Sequence, residues 1–317
     1  MFSAMRLLWW IGEAGGAGQK RIIATALLLA CALGLSACSA VRLGYAQAPE
    51  LIHWWADGYL DFDAEQSAAV REASRRWLAW HRSQQLPEVS AQLKAVGQAW
   101  RGDRLSAQQV CQWSGQVRRW VDAGLAQALP DLAQLATQLT PAQLQHLAER
   151  QAQRRREQAE EWQALSPAQQ RDKAVERLGE RYERLMGPLN APQRQWLAET
   201  VAVTDDPARW AAEQRRRQDD LLGTLQGIVQ SRDTPAAAQA RLQALAQRWR
   251  AGPPPTQAWL QANEQAHCAL LARLHGSASP RQREAGIEQL AAWEGDARAL
   301  VLSATAAAPA AALATAP

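Results

Sequence analysis

The chain has few of the residues from which β-sheets and most catalytic sites are built. Its 317 residues include only 2 phenylalanines and 3 tyrosines, and no run alternates β-branched or aromatic residues with polar ones, which argues against a sheet. It also lacks a nucleophile elbow, a phosphate-binding glycine loop and a paired-histidine zinc motif. The histidines do not have the spacing of a zinc site: His53, His81, His146, His267 and His275. We therefore expect no enzyme, no cofactor and no metal.

A strong excess of charge of one sign is also missing. The formal net charge is +4, from 35 basic and 31 acidic residues, which argues against nucleic acid as a partner. The arginine runs Arg154–Arg156 and Arg215–Arg217 lie close to Glu and Asp residues. We expect solvated helix faces with ion pairs inside each helix. Contact with anionic headgroups or with an acidic partner protein is the alternative.

A short apolar run near the N-terminus ends at a cysteine. Lys20 and Arg21 precede the apolar stretch 22–35, and small residues lead to Cys38, an arrangement typical of a secretory signal rather than a spanning helix. The sequence Leu-Ser-Ala-Cys resembles a bacterial lipobox, which implies cleavage before Cys38 and acylation of its thiol and amine. Ser39 in the next position implies sorting to the outer membrane, on its periplasmic face. We expect a signal peptide over residues 1–37 and lipidation of Cys38; an ordinary cleaved signal or an uncleaved anchor is the alternative.

The remaining sequence predicts helices almost throughout, because six helix starts follow one formula. A Ser, Thr, Asp or Asn that can cap the helix is followed three residues later by a glutamine, often with proline between them. The cap accepts a hydrogen bond from a first-turn amide, and the glutamine reaches back to the cap. The cap and glutamine pairs are Asp63 and Gln66, Ser106 and Gln109, Thr140 and Gln143, Ser166 and Gln169, Asn190 and Gln193, and Ser279 and Gln282. We expect an all-α bundle of up to about ten antiparallel helices over residues 38–302, followed by a disordered Ala/Pro tail over residues 303–317.

Two cysteines remain in the predicted helical domain besides Cys38. In an oxidising compartment the pair Cys111 and Cys268 is expected to form a disulfide. The bridge requires α-carbons within about 7 Å, so it would hold distant parts of the chain in one body. Two buried thiols on different helix faces are the alternative.

Aromatic and acidic residues are concentrated in the segment 45–62, shortly after Cys38. It contains the pattern Trp-Trp-x-Asp-x-Tyr-x-Asp, formed by Trp54, Trp55, Asp57, Tyr59 and Asp61. A segment of this kind after a lipobox resembles an uncharacterised family of bacterial lipoproteins, a domain of unknown function, and the resemblance covers most of the chain after Cys38. It implies a helical lipoprotein with no known activity. These five residues are our candidate interaction segment.

The roles of these residues remain open at the level of sequence. Asp57 and Asp61, four residues apart, could hold a divalent cation if a third ligand joined them. The better interpretation is that Asp61 or Asp63 caps the next helix. Trp54 and Trp55 lie either near the membrane interface or buried against the bundle.

The sequence favours an interaction or scaffold protein of the cell envelope, held to the membrane by its lipid anchor and binding an envelope protein. A periplasmic chaperone for unfolded envelope clients is the alternative. The Leu-x-Pro-Ala-Gln elements at residues 139–143 and 165–169 are similar to the Leu-Thr-x-x-Gln motif of small helical periplasmic chaperones. The sequence does not indicate an oligomeric state.

Overall fold

The computed structural model describes the backbone of residues 40–314 and the side chains of residues 41–303, and this described part is helical without strands. The all-α prediction is confirmed. The predicted signal peptide and Cys38 lie outside the described residues. The helices are α1 Ala40–Leu60, α2 Ala64–Trp80, α3 Leu86–Trp100, α4 Ala107–Gln138, α5 Pro141–Gln163, α6 Pro167–Met186, α7 Ala191–Thr204, α8 Pro207–Ser231, α9 Pro235–Ala251, α10 Pro254–Gly276 and α11 Pro280–Ala314, with a π-helical segment His81–Gln85 before α3. Contacts divide the chain into residues 1–47 and residues 48–317, and the packing described below is that of the second unit.

All six helix starts predicted from the cap and glutamine formula are confirmed. In α7, for example, the Gln193 amide donates to Asn190 Oδ1 at 3.0 Å, and the Asn190 amide donates to Gln193 Oε1 at 3.0 Å. The same reciprocal bonds begin α2, α4, α5, α6 and α11. Three of the residues immediately before the caps are buried leucines, Leu105, Leu139 and Leu189, as in a hydrophobic staple. Each such start therefore fixes both the first turn and the entry of the chain into the core.

The helices enclose two hydrophobic cores. In the first, α3, α6, α7, α10 and α11 pack around fully buried side chains that include Trp100, Met186 and Leu197. In the second, α4, α5, α8 and α9 pack around Ala133, Ile228 and their neighbours. Helix α4 contacts both α9 and α10, so it runs along both groups of helices.

Two pairs of capping glutamines join helix starts that are distant in sequence. Gln66 and Gln143 donate to each other's side-chain oxygens at 3.3 and 2.6 Å, which ties the start of α2 to that of α5. Gln193 and Gln282 do the same at 3.1 and 2.9 Å, which ties α7 to α11. All four side chains are buried. Each glutamine therefore caps its own helix and also bonds to a second one.

A disulfide joins α4 to α10. The α-carbons of Cys111 and Cys268 are 5.5 Å apart, across a sequence separation of 157 residues. This is the pairing that the sequence predicts, and it lies within the distance that a bridge requires.

The last two helices follow from the composition of their ends. The helical backbone of α11 continues to Ala314, and most of the stretch from residue 303 is alanine, the residue with the highest helix propensity; the disordered tail over residues 303–317 stays a prediction. The Gly-Pro-Pro-Pro stretch at 252–255 contains a break of two residues between α9 and α10, Gly252 and Pro253, and Gly252 takes a φ of +57°. Proline is well tolerated in a first helical turn, and α10 begins directly at Pro254.

Candidate interaction surfaces

The polar side of α1 faces the protein body. His53 is 9% exposed, and its two ring nitrogens contact Arg71 at 3.1 Å and the Ser67 hydroxyl at 3.0 Å, both on α2. Because a guanidinium can only donate, Nδ1 accepts from Arg71 and the Nε2 proton points to Ser67. Arg71 also donates to Glu50 at 2.8 Å, and this hydrogen bond lowers the pKa of Glu50. Helix α1 is therefore attached to α2 through polar contacts.

The acidic residues of the candidate segment end one helix and begin the next. Asp57 accepts from the Phe62 amide at 2.9 Å, and Asp61 takes a φ of +47° at the end of α1. Asp63 caps α2, which confirms the cap interpretation for that residue. Among the described residues, the one group of side chains close enough to share a metal ion does not include Asp57 or Asp61. The structure therefore gives no support to a cation site here.

The apolar side of α1 faces solvent. Trp54 is 73% exposed and Trp55 is 63% exposed, so the alternative in which both tryptophans are buried against the bundle is wrong. Leu51 and Ile52 are also exposed. We call these four residues the outward face: Leu51, Ile52, Trp54 and Trp55. The polarity of α1 is thus inverted, since an ordinary surface helix turns its apolar stripe inward.

Tyr59 and two arginines of α5 border this outward face. Tyr59 packs against the second core, and its ring centroid lies 5.3 Å from that of Trp55. Arg150 donates to the Gly58 carbonyl at 3.1 Å. A hydrogen bond with Tyr59 raises the pKa of Arg154. The outward face therefore has a basic border on its α5 side.

A groove of about 630 Å³ lies beside the disulfide, between α4, α6 and the junction of α9 with α10. Its apolar lining includes Trp249, Leu260 and Leu271. On α4, Val117 and Val121 follow about two and three helical turns after the lining residue Val110 and are 52% and 65% exposed. The groove and these two valines form a second apolar surface, which we call the disulfide groove.

The ionisable groups that line the disulfide groove include an ion pair, an imidazole and a phenol. Glu264 forms an ion pair with Arg118; burial raises the pKa of Glu264, but hydrogen bonds from Arg118 and Ser114 outweigh that effect and lower it overall. Burial lowers the pKa of His267 and raises that of Tyr182 to about 12. At neutral pH the groove therefore presents a neutral phenol and an imidazole whose protonation is disfavoured.

Cys111, Glu264 and Cys268 place three potential ligand atoms within 4.8 Å of one another. Thiolates bind metals, whereas the sulfurs here are joined in the disulfide. In this oxidised form the group offers a single carboxylate, which is already paired with Arg118.

The arginine runs form the ion pairs within helices that the sequence predicts. Arg216 contacts both oxygens of Glu213 at 2.7 and 2.9 Å, and Arg217 contacts it at 2.7 Å. Arg154 pairs with Glu157 at 3.4 Å on α5. The Glu213 side chain is only 6% exposed. Its hydrogen bond with Arg216 is the largest cause of a pKa lowered to about 2.

Residues 58–254 match the model of a family described as a family of unknown function, DUF6279. The chain belongs to this family. The match begins after Trp54 and Trp55 and ends at Pro254, the first residue of α10. No curated protein and no solved structure matches the chain.

The structure adds Leu51 and Ile52 to the candidate segment predicted from the sequence, and it adds the disulfide groove. Leu51, Trp54 and Trp55 have the i, i+3, i+4 spacing of a helical stripe, a signal that ordinarily predicts burial. Among the described residues, no helix is both long enough and apolar enough to cross a bilayer.

Proposed function

We propose that this DUF6279 protein is a lipoprotein anchored in the outer membrane through Cys38, facing the periplasm, and acting as an interaction or scaffold protein without catalytic activity. The observation that carries the proposal is the inverted polarity of α1. Sixteen residues after Cys38, a helix presents two tryptophans to solvent and turns the polar side chain of His53 inward. Solvent-exposed apolar patches of this kind mark surfaces that bind a partner or a membrane.

The body of the protein suits a scaffold in an oxidising compartment. The Cys111–Cys268 bridge is the type of crosslink that persists in the periplasm. The apolar lining of the disulfide groove, which includes Trp249, Leu260 and Leu271, supports a binding role. The lipobox at residues 35–38 supports the outer-membrane location.

Site-specific photocrosslinking in intact cells tests the scaffold role. A photoreactive amino acid replaces Val121 at the edge of the disulfide groove, and in a control strain it replaces Val203, an exposed valine of α7. A scaffold with a defined partner gives a discrete adduct from position 121 that is absent from position 203. If position 121 gives no adduct, or if both positions give the same adducts, the groove does not bind a specific partner.

A periplasmic chaperone is the second candidate, and the apolar lining of the disulfide groove favours it. A chaperone would bind many unfolded clients, because apolar contacts require no fixed sequence in the client. The purified protein would then bind bis-ANS and suppress aggregation of a denatured client, and Val121→Glu would weaken both effects. If aggregation proceeds unchanged while position 121 still crosslinks to one protein, the scaffold is favoured.

A further inference from the structure

We propose that the outward face of α1 docks on the interfacial region of the membrane that holds the lipid anchor, so that the protein lies against the bilayer rather than hanging free from a tether. This inference rests on the proposed lipidation of Cys38. In this arrangement lipid, rather than another protein, contacts Leu51, Ile52, Trp54 and Trp55.

The composition of the face suits an interface. All four of its side chains are apolar and exposed, and tryptophan is enriched at the headgroup level of membranes, where its ring bridges apolar and polar surroundings. The charged residues Glu50 and Asp57 are instead engaged with Arg71 and the Phe62 amide. The Glu50 side chain is still 54% exposed, and its ion pair with Arg71 offsets the charge that it would bring to the interface.

The length of chain between Cys38 and the face keeps the face close to the bilayer. Trp54 follows Cys38 by sixteen residues, of which those from Ala40 onward belong to α1, and a helix of this length spans about 24 Å. A tether of this length raises the effective concentration of the face at the membrane surface. Weak interfacial affinity is then enough for docking.

The border of the face complements an anionic membrane surface. Arg150 and Arg154, one helical turn apart on α5, lie at Gly58 and Tyr59. The Arg154 side chain is 60% exposed, with Glu157 as its acidic neighbour. Basic residues near a membrane surface are attracted to anionic lipids, which a protein partner with an apolar surface would not require.

The test uses the full lipidated protein with an environment-sensitive NBD fluorophore on a single introduced cysteine. Cys111 and Cys268 are bridged and Cys38 would be acylated, so the new thiol is the reactive one. Trp55→Cys and Leu51→Cys place the fluorophore on the outward face at two independent positions, and Val203→Cys is the matched exposed control. Circular dichroism of each variant checks that the helices are retained.

The labelled proteins are reconstituted into phosphatidylethanolamine vesicles with and without phosphatidylglycerol. A flotation assay shows whether the lipid anchor holds the protein on the vesicles. Docking predicts that emission at positions 51 and 55 shifts to shorter wavelength and is quenched when doxyl-labelled lipids are included, because the fluorophore would then lie at headgroup depth, where tryptophan is enriched. The loss of emission at positions 51 and 55 is larger in vesicles that contain phosphatidylglycerol, and emission at position 203 changes little.

Three other outcomes are distinguishable. If the protein floats but emission at positions 51 and 55 resembles that at position 203, the result contradicts docking of the outward face and supports the lipid anchor. If emission at 51 and 55 is blue-shifted but lipid quenchers have no effect, a second copy or another protein covers the face, and docking is overturned. If the wild-type protein does not float, the proposed anchor has failed, and the docking proposal fails with it.

Discussion

At the residue scale, Gly286 on α11 permits a close contact with Trp100 of α3 in the first core. A Cβ at this position would lie 2.3 Å from Nε1 of the buried Trp100. Gly286→Ala should therefore lower the free energy of unfolding by about 1–3 kcal/mol, the usual effect of overpacking, as measured by urea denaturation. Gly295→Ala on the same helix is the matched control, because nothing lies within 4 Å of its Cβ; it should be neutral or up to about 1 kcal/mol more stable. Equal stability of the two variants would contradict this packing.

Glu213 predicts a pH dependence at the same scale. Its two arginine partners hold its pKa at about 2 in the folded protein, against 4.5 for the unperturbed group. A lowered pKa means that the unfolded chain takes up the proton first, so the contribution of Glu213 to stability is fully present above pH 4.5 and is lost as the pH falls toward 2. Glu213→Gln should therefore lower the melting temperature at pH 6, with a difference from wild type that shrinks by pH 3. A difference that stays constant over this range would show that the effect is not due to charge.

At the element scale, the glutamine pairs couple helix starts. Gln193 bonds to Gln282 and is completely buried, so either alanine substitution should lower the free energy of unfolding by about 1–3 kcal/mol by leaving a buried partner unsatisfied. A double-mutant cycle should give a coupling of at least about 0.5 kcal/mol. Gln169→Ala is the control: Gln169 is exposed and bonds to its own cap Ser166. Additive effects at 193 and 282 would mean that the two glutamines act only within their own helices.

The same glutamines show how far sequence reasoning reaches. The cap formula predicts six helix starts correctly because its hydrogen bonds are local, within four residues of each other. It does not reveal that four of the six glutamines meet in pairs, because sequence spacing contains no information about contacts 77 or 89 residues away. The exposure of the outward face cannot be predicted from the sequence, for a related reason. The Leu51, Trp54, Trp55 stripe predicts one face of α1, and only the contacts of His53 and Glu50 with α2 decide which side is turned to solvent.

At the scale of the whole molecule, the Cys111–Cys268 bridge joins α4 to α10. Replacing both cysteines with serine should lower the melting temperature, with a loss of up to about 5 kcal/mol on the chain-entropy model for a loop of this size. Wild-type protein from the periplasm should show no free thiol at Cys111 or Cys268 when denatured without reductant, and its reduced form should match the stability of the variant. Two free thiols in the unreduced protein would contradict the bridge.

The lipid anchor underlies both the proposed location and the proposed orientation of the molecule. Metabolic labelling with a palmitate analogue, comparing wild type with Cys38→Ala, tests it most directly. We expect the wild-type protein to be labelled and to fractionate with the outer membrane. The variant should be unlabelled and either released into the periplasm or retained as an unprocessed precursor. Labelling that survives the loss of Cys38, or a wild-type protein that is never labelled, would contradict the assignment as a lipoprotein.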